Sequence, residues 1–158
     1  MEFEFKARIG FAREVARKCH KTLSLTIPVP IEDVLKHYGF TVMYLTDLDN
    51  SVSALADITD KVIAVNANHS ITRQRFTLGH ELGHYLLGHA HGAFNDVQSN
   101  RNKANSPVEQ EADEFAAELL VPSQVLKKME LSNIATMAAV FNVSNEMLSI
   151  QLTKHRII

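Results

Sequence analysis

The sequence predicts an α+β fold, mainly helical, with a small three-stranded sheet and a C-terminal helical subdomain of helix-turn-helix-like pattern. Two observations lead there. Apolar residues recur at helical intervals over most of the chain, and between Thr41 and Asn66 the period shortens to that of strands. The composition, 46% hydrophobic and 22% charged over 158 residues, is enough to bury a real core in one domain with a small appendage. A net charge of −2 and a pI near 6.4 give no basic footprint, so neither nucleic acid nor a membrane surface is the expected main partner. The single cysteine, Cys19, allows no internal disulfide. The opening MEFEFKARIG has acidic residues and no apolar targeting core, and no long apolar run follows, which points to a cytoplasmic protein.

In chain order, Phe5, Ile9, Ala12, Val15 and Ala16 place an amphipathic helix over Glu4–Lys21, with Cys19 as a core residue. Ile27-Pro28-Val29-Pro30 is stiff and extended and leads into a short helix, Ile31–Tyr38, closed by Gly39. Thr41–Leu45, Ser53–Asp57 and Lys61–Asn66 read as three strands of a mixed or antiparallel sheet, the last two joined by a turn at Ile58–Asp60. Ser70 then caps a helix that runs to about Gly88. Ala90–Asn105 is polar and aperiodic, a loop whose histidines, His91 and the preceding His89, read as solvated, with substrate binding as the alternative. Ser106-Pro107 opens the next helix as N-cap and first helical residue. After Pro122, a helix over Ile134–Phe141, a turn at Asn142-Val143 and a helix capped by Ser144 form the C-terminal pattern. Lys154, His155 and Arg156 are its only basic cluster, so a subdomain covering the body (126–158 on 1–125) is preferred over a DNA-reading one. Met129, Met137 and Met147 read as core filler.

The chemistry lies in the helix after Ser70. His80, Glu81 and His84 spell HExxH, which on a helix sets two imidazoles one turn apart with a carboxylate beside them, the pattern of a zinc-dependent hydrolase. Shuffling the chain's own 8 histidines and 11 glutamates would produce the pattern roughly three times in a hundred, so context has to support it. At 100° per residue, Leu78, Leu82, Tyr85 and Leu86 form one face, and the histidines lie opposite, away from the main packing surface. Gly79 and Gly83 each cost about 1 kcal/mol relative to Ala in a helix interior, which implies that another backbone passes close by.

Two carboxylates on the helix after Ser106 compete as third ligand, Glu109 and Glu111. The apolar stripe is Val108, Ala112, Phe115, Ala116 and Leu119; Glu109 lies roughly 60° from its centre and Glu111 roughly 100° away on the other side. Glu109 is the better aimed, and Asp113 shares its face, where it can hydrogen-bond the free nitrogen of a ligating histidine. The plain alternative is a Ser106–Glu109 capping box. Glu114 and Glu118 fall on the outer, solvated face.

RFTLGHELGHYLLGH followed by EQEADEFAAELLVP closely resembles the ImmA/IrrE family of bacterial metallopeptidases. IPVPIEDVLKHYGFTVMYL and KVIAVN upstream, and IATMAAVFNVSNEMLSIQLTKHRI downstream, extend the likeness over nearly the whole chain. The resemblance implies a zincin-like metallopeptidase core, with zinc held by His80, His84 and Glu109 and with Glu81 acting on the water. It implies a helix-turn-helix regulator as substrate, cut at one site to lift repression in a mobile-element or stress response. In one respect the chain departs: many members carry a histidine directly after YLL, where this chain has Gly88 and then His89.

Zinc with three protein ligands keeps a position for water and lowers that water's pKa toward about 7, and Glu81 is placed to take its proton and pass it to the leaving amine. Tyr85, His69, His89 and His91 are candidates for steadying the oxyanion, Tyr85 being better explained as core. The predicted strands point to a substrate bound as an added strand on an edge within Ser53–Asn66. A second function class is a binding module that holds a helix-turn-helix protein without hydrolysing it, or that contacts DNA through its C-terminal helices.

Overall fold

The computed structural model describes residues 5–89 and 106–158. Glu4, the loop expected over Ala90–Asn105, and His91 within it lie outside the described residues. Within them the order is α1 (Ile9–Leu23), α2 (Ile31–His37), β1 (Thr41–Leu45), β2 (Ala54–Asp57), β3 (Val62–Asn66), α3 (Ile71–Leu86), α4 (Pro107–Leu120), α5 (Ser123–Lys128), α6 (Ile134–Phe141) and α7 (Asn145–Lys154). The mainly helical α+β class is as the periodicities predict. None of the helices described is long and apolar enough to cross a membrane.

The sheet has order β1-β3-β2, with β1 parallel and β2 antiparallel to β3. Asp57 Oδ1 accepts the Asp60 N–H at 2.9 Å, and Lys61 takes φ +55°, so the β2–β3 hairpin closes on the turn expected there. β3 is therefore the central strand, paired on both sides. The edge expected over Ser53–Asn66 belongs to β2 alone, because the parallel pairing with β1 uses the other side of β3.

One core joins all layers. Ile31, Leu35, Phe40, Ile63 and Val65 meet Leu78 and Leu82 of α3, and Phe115 and Leu119 of α4 close over them. Phe141, Leu148 and Leu152 of the C-terminal pair belong to the same cluster. Gln151 Nε2 fastens α7 to α4 by donating to the carbonyls of Ala117 and Val121, at 3.3 and 3.1 Å. Asn142, at φ +53°, makes the turn between α6 and α7, a conformation asparagine tolerates well.

Three sequence expectations are corrected. Phe5 is 86% exposed and lies ahead of α1, whose N-cap is Arg8; the Arg8 N–H donates to Glu111 Oε2 at 3.0 Å instead of extending a helix backward. Val108 leaves the apolar stripe, 39% exposed in the first turn of α4. Glu114 and Glu118 are buried, because α1 packs along the face assigned to solvent. Arg13 Nε reaches Glu114 at 2.7 Å and Arg17 Nε reaches Glu118 at 3.1 Å, while Arg8 Nη2 meets Glu111 at 2.7 Å. A wheel drawn on one helix has no way to register a partner that presents arginines.

α3 and α4 approach at a seam of small residues. A Cβ on Gly83 would lie 3.0 Å from Phe115 Cδ1, 3.2 Å from Ala112 O and 3.3 Å from Ala112 Cα; on Gly79 it would lie 3.3 Å from Ala116 Cβ. The close backbone implied by the two glycines is that of α4. Gly83→Ala is expected to destabilise by about 1–3 kcal/mol through overpacking, despite its better helix propensity. Gly10→Ala in α1, with nothing within 4 Å, is expected to stabilise by up to about 1 kcal/mol. Thermal melting of the two variants checks the contrast.

Burial would raise the Glu114 carboxyl, but hydrogen bonds from Lys154 and Arg13 hold it below the usual carboxylate range. Such a depressed group stabilises fully above its unfolded value of about 4.3 and loses that contribution as pH falls through the folded value. Arg13→Ala is expected to lower stability at neutral pH by about 1–3 kcal/mol. It should also flatten the fall of melting temperature on acidification below about pH 5, read from melts across pH.

Candidate metal centre

Ser70 Oγ accepts the Arg73 N–H at 3.3 Å and starts α3 in the register that stacks His80 over His84. The two rings are 4.6 Å apart and nearly perpendicular, and their Nε2 atoms are 3.0 Å apart. Neither faces open space. His80 is 2% exposed and His84 and Glu81 are fully buried, since α4 lies across the face opposite the leucines.

Ser106 caps α4 by accepting the Glu109 N–H at 3.4 Å, while the Glu109 side chain turns to the histidines. Its Oε2 is 2.8 Å from His80 Nε2 and its Oε1 is 3.2 Å from His84 Nε2. Glu111 points elsewhere, held by Arg8 and by His89 Nε2 at 3.0 Å. Of the two competing glutamates, Glu109 is thus the one brought to the histidine pair. Asp113, one turn on, places Oδ1 2.7 Å from His80 Nδ1, the nitrogen that a ligand at Nε2 leaves free.

His80, His84 and Glu109 each offer one donor atom, all within 4.8 Å of one another, and could hold a metal ion. The observed separations of 2.8, 3.0 and 3.2 Å are a few tenths short of the roughly 3.3 Å between donors around a tetrahedral zinc with bonds near 2.0–2.1 Å. The donor set fits, and two imidazoles with one carboxylate suit a borderline ion such as zinc. Burial would push the His80 imidazole down, but hydrogen bonds to Asp113 and Glu109 carry it up to about 10. Burial likewise opposes ionisation of Glu109, and the two histidines more than offset it, holding the carboxyl far below its ordinary value.

His69 and Tyr85 sit apart from this cluster. His69 Nε2 is 2.8 Å from the Asn50 carbonyl and braces the chain between β3 and α3. Tyr85 packs edge-on against Tyr38 and Phe40, beneath Lys61, as a core side chain would. His89, expected in solvent, is instead turned inward. Gly88 takes φ +73° after α3, the His89 N–H donates to the His84 carbonyl at 3.0 Å, and the ring folds back to place Nδ1 2.8 Å from His84 Nδ1. The glycine in YLLGH was the available signal; the partner across the turn was not visible along the chain.

A helical α+β domain with a two-histidine, one-carboxylate cluster astride a buried HExxH helix defines a class of candidate metal-dependent hydrolases. Residues 35–153 match the family model Peptidase_M78, the IrrE N-terminal-like domain, and the chain belongs to that family. No curated protein matches by sequence. Among solved structures, a Mycobacterium tuberculosis transcriptional regulator superposes with a TM-score of 0.63 at 14% identity, over 89% of this chain and 46% of that one. That likeness is one of fold, and this chain spans less than half of that protein's length.

Because His80 holds a proton that a metal must displace, zinc uptake near neutral pH is expected to release protons, and apparent affinity to weaken as pH falls. Titration calorimetry in buffers of different ionisation heat counts the released protons. Uptake with no proton release would contradict the arrangement.

Proposed function

We propose that this protein is a zinc-dependent endopeptidase of the cytoplasm that cuts a helix-turn-helix transcriptional regulator at one site and so relieves repression. The observation that carries the reading is the convergence of His80, His84 and Glu109 on one point, with Glu81 in the same buried turn of α3. Family membership supports peptide-bond hydrolysis. The regulator as substrate rests on the ImmA/IrrE resemblance.

In this reading His80, His84 and Glu109 hold zinc, and Asp113 accepts a hydrogen bond from His80 Nδ1, keeping Nε2 directed at the ion. The bound ion supplies a Lewis acid for the scissile carbonyl and an acidified water. Glu81 takes the proton from the attacking water and returns it to the departing amine. Its burial keeps competing solvent from that exchange. A cleft of about 560 Å³ between α3, α4 and α7, with Phe76, Asp113, Met147 and Ile150 in its walls, meets the centre at Asp113, which is 2.7 Å from His80, and offers room for a substrate segment.

The test is to incubate the zinc-loaded protein with a helix-turn-helix regulator from its genomic neighbourhood. Wild type is expected to yield two discrete fragments. Glu81→Gln is expected to keep stoichiometric zinc while cleavage drops by about 10²-fold or more, and His80→Ala to lose the zinc. Intact regulator in a stable complex with both wild type and Glu81→Gln would replace the peptidase with a non-hydrolytic binding module.

A further inference from the structure

Asp113 backs His80 directly, but the other histidine is backed in a different way. His84 Nδ1 lies 2.8 Å from His89 Nδ1, and His89 Nε2 lies 3.0 Å from Glu111 Oε1. Glu111 is in turn gripped by Arg8, whose backbone N–H and Nε contact Oε2 at 3.0 and 3.2 Å and whose Nη2 contacts Oε1 at 2.7 Å. The His89 and Glu111 side chains are 5% and 4% exposed, so the chain of contacts is shielded from water until it reaches Arg8, 53% exposed at the start of α1.

We propose that His89, held by Glu111 and Arg8, is a positioning residue for the metal centre that locks the ring of His84. The inference rests on the metal-centre reading above. If His84 gives Nε2 to the ion, its remaining proton sits on Nδ1, and the only role left for His89 Nδ1 at 2.8 Å is acceptor. His89 then carries its own proton on Nε2 and donates it to Glu111, whose charge Arg8 balances. Each link has one consistent direction: His84 donates to His89, His89 donates to Glu111, and Arg8 donates to Glu111. Reversing any link would place a proton where the metal belongs or set two donors against each other.

Two features make this more than a packing contact. Arg8 lies outside the residues that match the family model, so an N-terminal element beyond it reaches the centre. The neighbouring pairs Arg13–Glu114 and Arg17–Glu118 join the same two helices with no such extension to a histidine ligand, and they provide an internal control.

The experiment measures zinc dissociation constants of the full chain by competition with a chromogenic chelator, alongside melting of the metal-free forms. His89→Ala is expected to weaken zinc binding 10- to 100-fold, as loss of a partner behind a metal ligand commonly does. His89→Phe, which keeps a ring and lacks an acceptor, is expected to lose as much and stands in for the alanine variant if that does not fold. His89→Asn keeps an acceptor near the position of Nδ1 and is expected to recover part of the loss. Arg8→Ala is expected to weaken zinc about 3- to 10-fold, while Arg17→Ala lowers the melting temperature and leaves zinc affinity at the wild-type value. Wild-type affinity in His89→Phe, or equal zinc loss in Arg17→Ala and Arg8→Ala, would overturn the positioning role. His80→Ala tests the underlying reading separately: stoichiometric zinc retained there would reject the metal centre itself, whereas zinc lost there but unchanged in His89→Phe rejects the positioning role alone.

Discussion

The seam between α3 and α4 is the constraint on which the rest depends. Gly79 and Gly83 on one helix face Ala112 and Ala116 on the other, so the backbones approach closely enough to bring a first-turn glutamate of α4 within 3.2 Å of both imidazoles. A side chain at Gly83 would press on Phe115 and on the Ala112 backbone, the contact that holds the two helices at this spacing. The helix-propensity cost of two glycines, about 1 kcal/mol each, is small beside that geometric requirement. Function and packing here have the same origin, since the atoms that close the seam also set the separation of the donors.

α4 distributes three tasks around its circumference. Phe115 and Leu119 anchor it in the core, Ala112 and Ala116 meet α3, and Glu111, Glu114 and Glu118 receive arginines from α1. Ion pairs with one buried partner add little net stability over apolar packing. Three of them at intervals of three to five residues on both helices instead discriminate between registers, since a one-turn slip would leave buried carboxylates unmatched. That register also decides what lies beside the centre, because Arg8 at the head of the ladder holds the carboxylate that His89 contacts.

Elements with strong local signals were legible along the chain. Ser70, Ser106 and Ser144 cap the helices they precede, β1 has the bounds expected, and β2 and β3 each start one residue later than the alternation implied. At the start of α1 a distant group intervenes: Glu111 accepts the Arg8 N–H, and the helix begins at Ile9. Burial was less legible than secondary structure. Glu114 and Glu118 were placed on an open face because a helical wheel knows only its own helix; both are covered by α1, which approaches through arginines, residues that contribute to no apolar stripe.

What the sequence determined by itself was local and periodic: which segments are helix or strand, where they start, and that two imidazoles and a carboxylate share one helix, because these depend on spacing along a single element. Choosing Glu109 over Glu111 as the carboxylate beside them was favoured by the wheel, yet it was decided only when α4 crossed α3 at the glycine seam. The tertiary structure alone decided that His89 turns back over His84 and that α1 reaches the centre through Arg8 and Glu111. These contacts join residues up to 103 positions apart, and their geometry is set by how helices cross, a quantity no single segment encodes.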